Sequence, residues 1–148
     1  MDYIKIYVDT NVLINYCTGQ KADMVSLNHI FSKRTKHTLF TSSLAIVQTI
    51  SRLQSGNKAR NRKAYSKEKT IEELDYLLTK FTVLDLTLTD IKSGFNENCE
   101  DIEDSIHYIV SQKMKCDAIL TNNAKDFTKF NEIKLLETDL GILKSLVQ

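Results

Sequence analysis

The stretch Ile4-Lys5-Ile6-Tyr7-Val8-Asp9-Thr10-Asn11 decides how the fold is read. Its apolar run is nearly continuous rather than alternating, the pattern of a strand covered on both faces of a parallel sheet. A strand from Ile4 to Asp9 is therefore expected near the sheet's centre. Asp9 would end it, at the edge where open α/β sheets hold ligands in a crevice. Asp9 equally suits capping of the helix that follows. Thr10 or Asn11 suits that task too, for a short helix through Val12, Leu13 and Tyr16 that stops near Gly19.

Strands and helices alternate beyond this point. Met24, Leu27, Ile30 and Phe31 recur at helical spacing, and Thr38 to Thr41 reads as the second strand. Ser42 or Ser43 can cap a helix with Leu44, Val47, Ile50 and Leu53 on its apolar face, ended by Gly56 and Asn57. A long helix carries Ile71, Leu74, Leu77 and Leu78, followed by a strand near Val83 to Leu86. Leu88 to Phe95 reads as helical. Asp101 opens a helix with Ile102, Ile106, Ile109, Val110 and Met114, in which Ile102 and Ile106 are expected to face inward. Asp117 to Thr121 is the fourth strand, Ala124 to Phe130 a short helix, Ile133 to Leu136 the fifth strand, and a final helix starts at Asp139. The alternation predicts a three-layer αβα sandwich around a mainly parallel five-stranded sheet.

The 148 residues, 42% hydrophobic and 26% charged, fit one globular domain. No repeat or Pro/Gly-rich linker divides the chain, so a single domain over 1–148 is expected. No stretch approaches the roughly 20 apolar residues of a membrane span. Met1-Asp2-Tyr3-Ile4-Lys5 has neither a basic leader nor an apolar run, which leads to the expectation of a cytoplasmic protein without a membrane partner. Cys17, Cys99 and Cys116 are odd in number and widely spaced, so they read as reduced structural thiols. The net charge of +1 says little, but its distribution is uneven. Arg52, Lys58, Arg60, Arg62, Lys63, Lys67 and Lys69 face only Glu68 as an acid between 52 and 69. Such a segment suits phosphates, and it also suits a solvated helix with its entry loop.

Three groups of acids stand at the edges of expected elements. Asp9 is the first. Asp101, Glu103 and Asp104 begin a helix, where they suit its positive end, while Asp101, Asp104 and His107 share one face. His107 there is a proton carrier, a phosphate contact or a bystander. Asp126 closes Thr121-Asn122-Asn123-Ala124-Lys125-Asp126, in which Thr121 can bond a phosphate or carboxylate and Asn123 can offer a neutral oxygen. Each group alone also suits capping or turn formation. Gathering them in one crevice is costly unless a cation neutralises them. Mg²⁺ or Mn²⁺ suits such hard oxygen donors, and the lack of close His or Cys pairs argues against zinc.

At these residues the chain resembles the PIN-domain nucleases. VDTNVLIN (8–15) is similar to the family's first motif, EDSIHY (103–108) to its Asp-bearing helix and TNNAKDF (121–127) to its last motif. The resemblance spans nearly the whole chain. It implies a PIN-like fold, a metal site and catalysis at Asp9, Asp104 and Asp126, with Asp101 and Glu103 as further ligands, and polar support from Asn11, Gln48, Thr121 and Asn123. It also implies Mg²⁺- or Mn²⁺-dependent hydrolysis of RNA, and an antitoxin and a homodimer as partners; by their charge, Arg52, Lys58, Arg60, Arg62 and Lys63 would then grip the RNA backbone. SSLAIVQTISRL (42–53) resembles the second motif but has Gln48 where a metal-site Glu is usual. Gln48 keeps an oxygen and loses the charge, which leaves a binding or regulatory module without turnover as the main rival. Gln48 as a plain exposed helical residue is the blandest reading. A phospho-acceptor domain would instead use Asp85 and Lys134.

Overall fold

The computed structural model describes residues 4–33, 36–97, 99–128, 130 and 134–136. Five parallel strands form one sheet in the order β3-β2-β1-β4-β5. They are β1 (Ile4–Val8), β2 (His37–Ser42), β3 (Thr82–Leu84), β4 (Ala118–Leu120) and β5 (Lys134–Leu136). β1 is central, as its sequence predicts: Ile6 pairs with Leu39 of β2 on one side and Ala118 of β4 on the other. The chain thus leaves β1 in one direction for β2 and later returns beside it as β4. The crevice outside the carboxyl ends of these strands is where α/β sheets take ligands.

Alternation along β1 divides the interior into two cores. Ile6 and Val8 join Val12, Leu13, Leu27, Leu53, Leu74 and Leu77 on one face. Those partners come from α1 (Thr10–Cys17), α2 (Lys21–Ser32), α3 (Ser43–Ser55) and α4 (Lys67–Leu78). Tyr7 joins Phe40, Ile106, Val110, Ile119 and Phe127 on the other face, which α5 (Leu88–Phe95) and α6 (Ile102–Lys113) cover. Successive side chains of a strand point to opposite faces, so one covered strand serves both cores.

Several expectations are corrected in detail. α1 is capped by the Asp9 side chain, not by Thr10 or Asn11, and β1 ends at Val8. α3 turns Ala45, Thr49 and Leu53 inward and leaves Val47 62% exposed. The small pair lets α3 pack on α1, and burial of Thr49 is tolerated because its hydroxyl donates to Ala45 O at 2.7 Å. Ile71, Leu78, Ile102 and Met114 are likewise exposed. β3 covers 82–84 rather than 83–86, and one 3₁₀ turn, Ala124–Phe127, replaces the short helix expected there. Ile133 and the helix expected from Asp139 lie outside the described residues.

The basic segment is a folded loop before α4 begins at Lys67. α3 ends at Gly56, whose φ of +70° and ψ of −170° are open essentially to glycine alone. A Cβ there would meet Ala64 N at 2.7 Å and Arg62 O at 2.8 Å. Asn57 and Arg62 then exchange two backbone hydrogen bonds, each 2.8 Å, closing the loop that carries Arg60. Among the described residues no helix is long and apolar enough to cross a membrane. Burial pushes the thiols of Cys17 and Cys116 up to about 12, which suits inert structural roles.

Candidate active site

Asp9 caps α1 and enters the crevice at once, so its two expected roles do not compete. The carboxylate is 4% exposed. Its Oδ1 accepts from Thr10 N–H at 2.8 Å, and its Oδ2 accepts from Thr121 Oγ1 at 2.8 Å and Asn11 Nδ2 at 2.9 Å. Asn11 and Thr121 are themselves tied to the turn after β4, through Asn122 N–H and Asn123 N–H. The neighbouring ends of β1 and β4 are thereby locked around one acid. Thr121 is fully buried with its hydroxyl donating to Asp9, the carboxylate of the two partners expected for it.

α6 supplies the second group. Asp101 caps it by accepting the N–H of Asp104 at 3.2 Å. Asp104 is partly buried, and its carboxyl is pushed up to about 7, first by burial and then by Asp101, Asp9, Asp126 and Glu103. The acids from three separate stretches of sequence therefore repel one another. Asp9, Asp101, Glu103, Asp104, Asn123 and Asp126 line one cavity of about 890 Å³. Arg52, Arg60 and Arg62 line the same cavity, whereas Lys58 and Lys63 do not. Asp85 follows β3 at the sheet's edge and is also absent from the lining, which removes the phospho-acceptor reading.

Gln48 is neither exposed nor free. Its Oε1 accepts from Thr10 Oγ1 at 2.6 Å and lies 3.1 Å from His107 Nε2, while its Nε2 donates to Glu103 Oε2 at 2.8 Å. His107 is 2% exposed, with Nδ1 2.6 Å from the Tyr7 hydroxyl. Burial pushes the Tyr7 phenol up, so it keeps its proton and can donate to Nδ1. Burial likewise lowers His107 against the opposing pull of Asp9, which favours the neutral ring. The 3.8 Å approach of His107 Nε2 to Asp9 is then a polar contact and not an ion pair. The Tyr7 hydroxyl also lies 2.8 Å from Ser42 Oγ, which caps α3. Sequence reasoning overlooked Tyr7 and Ser42 as parts of the site. The available signal was a polar tip within each of two buried apolar runs, Tyr7 in β1 and His107 in α6.

Among the described residues, no three acidic, histidine or cysteine side chains stand close enough to grip an ion as they are placed. The donor set still fits a hard cation. It consists of carboxylate and amide oxygens, and the histidine is already committed on both ring nitrogens. The Asp104 carboxyl is raised first by burial and then by its acidic neighbours, and a cation would remove the second of these.

Comparison with known proteins identifies the fold. A family model described as the PIN domain matches residues 6–133. No curated protein matches the chain by sequence. The fold is similar to the VapBC2 structure from Rickettsia felis bound to a promoter DNA fragment, at 15% identity and a TM-score of 0.63, covering 90% of this chain and 98% of that one. It is also similar to VapC20 of Mycobacterium tuberculosis, a sarcin-ricin loop cleaving toxin, at 13% identity and a TM-score of 0.58, covering 81% and 92%. VapBC-1 from nontypeable Haemophilus influenzae matches at 14% identity and a TM-score of 0.59, covering 91% and 98%.

Proposed function

The chain belongs to the PIN domain family, and from that membership we propose that it is a Mg²⁺- or Mn²⁺-dependent endoribonuclease, the toxin of a toxin and antitoxin pair. The observation that most supports this reading is the lining of one cavity by Asp9, Asp104 and Asp126. These three would hold the cation, with Asp101 and Glu103 beside them. When bound, the cation polarises a phosphoryl group and makes a water more acidic. The chain's own side chains position the rest. Asn11, Thr10 and Thr121 keep the Asp9 carboxylate facing the cavity. Arg52, Arg60 and Arg62 take neighbouring phosphates through charge, and Lys58 and Lys63 continue the basic strip along the loop. Asn123 orients water or a phosphate oxygen.

Single-stranded or structured RNA is the substrate in this reading, within a single cytoplasmic domain that forms a homodimer. An antitoxin partner is supported by the similar folds of VapBC complexes. A second reading, an RNA-binding or regulatory module without turnover, draws on Gln48 and on the absence among the described residues of a ready-made three-ligand grip. Incubation with a mixed RNA pool separates the two. Metal-dependent cleavage should be lost on chelation and fall by more than about a hundredfold in Asp104→Asn, since even outer partners of metal ligands are worth about 10–100-fold. Retention of RNA with no cleavage in Mn²⁺ would support the regulatory reading, and neither retention nor cleavage would remove both.

A further inference from the structure

Gln48 and Glu103 reach the cavity from different helices and meet there, with Gln48 Nε2 donating to Glu103 Oε2 at 2.8 Å. Glu103 fixes which way the amide points. A carboxylate can only accept, so Gln48 turns its NH₂ toward Glu103. The carbonyl then faces Thr10 Oγ1, which donates to it at 2.6 Å, and His107 Nε2 at 3.1 Å, which carries the ring's proton in that arrangement.

We propose that Gln48 is a positioning residue that holds the Glu103 carboxylate at the cation, so that positions 48 and 103 share one negative charge which either can carry and both cannot. This rests on the cation-binding reading above. Two carboxylates facing each other here would be two acceptors with no proton between them, so the 2.8 Å bond that holds Glu103 would be lost. An amide facing an acid keeps the charge and adds a hydrogen bond to it. The geometry is also reversible. With an acid on α3 and an amide on α6 the same bond forms with donor and acceptor exchanged, and the second oxygen of the acid accepts from Thr10 and His107 as the Gln48 carbonyl does now. Each alternative holds one charge at the same wall of the cavity, next to Asp104.

The test is Mn²⁺ affinity of the full chain at pH 8, measured by calorimetry and by electron paramagnetic resonance, with melting curves to establish that each variant folds. Glu103→Gln should weaken Mn²⁺ binding by about tenfold or more. The exchange variant Gln48→Glu/Glu103→Gln should return it to within about threefold of wild type, a departure from additivity that only coupled positions show. Gln48→Glu alone should not tighten binding, and Gln48→Leu, which keeps every charge, should weaken it. An exchange variant as weak as Glu103→Gln overturns the proposal, as does a tenfold gain in Gln48→Glu. Should the exchange variant fail to fold, unchanged affinity in Gln48→Leu overturns the proposal and weakened affinity upholds it. A wild-type chain that binds no Mn²⁺ removes the cation reading itself, and this assignment with it.

Discussion

Asp104 carries the clearest electrostatic signature in the molecule. Its carboxyl rises from an ordinary 3.8 to about 7 through burial and four neighbouring acids. A raised carboxyl favours the protonated fold, so its contribution is fully present below the ordinary value and is lost as pH climbs through 7. The metal-free protein should therefore lose stability between about pH 4 and pH 8 on account of this group. Asp104→Asn, neutral throughout, should melt above wild type at pH 8, and the gap should close by pH 4. Saturating Mn²⁺ should reverse the order at pH 8, because a ligand that binds only the native state stabilises it. A gap of equal size at both pH values would contradict this account. The acids themselves were legible in the sequence because each stands at the edge of an expected strand or helix. The Tyr7, His107 and Gln48 network was not, since whether a polar side chain is buried against another depends on contacts 59 to 100 residues away along the chain.

The elements followed the sequence closely where a long pattern or a cap specified them. β1, α2, α5 and α6 lie where periodicity and capping residues put them, and Thr87 and Asp90 complete a capping box on α5. Helix faces were less legible. Spacing alone favoured Val47, Ile71 and Ile102 as core residues, but close approach between helices selected smaller side chains at Ala45, Thr49 and Gly94. The arginine loop depends on one such backbone device at Gly56. Gly56→Ala should cost about 1–3 kcal/mol of stability, since its φ and ψ admit little but glycine and a Cβ would strike backbone atoms of 62–64. Urea denaturation measures that cost. The same variant should weaken RNA retention more than Mn²⁺ binding, because Arg60 and Arg62 ride on the loop while the acids do not. Equal losses of both would show that the loop and the acidic wall are not separate units.

The whole arrangement follows from where β1 sits. A central strand flanked by β2 and β4 brings Asp9 and the turn carrying Asn123 and Asp126 to one crevice, and α6 closes it with Asp101, Glu103 and Asp104. The same cavity meets Arg52, Arg60 and Arg62, which in the proposed reading would hold phosphates beside the cation. Removing the arginines should act uniformly on RNA. Each of Arg52→Ala and Arg60→Ala should reduce the slope of log affinity against log salt by about 0.7, the value for one single-strand phosphate contact, without changing sequence preference. Filter binding across salt concentrations reads this directly, and an unchanged slope would place RNA elsewhere. The convergence of the acids on one ion is tested most directly by a crystal structure with Mn²⁺, using its anomalous signal. The expected result is a peak at about 2.0–2.3 Å from carboxylate oxygens of Asp9, Asp104 and Asp126. A soaked crystal with no peak in this cavity, or with a peak that none of the three reaches, would contradict it.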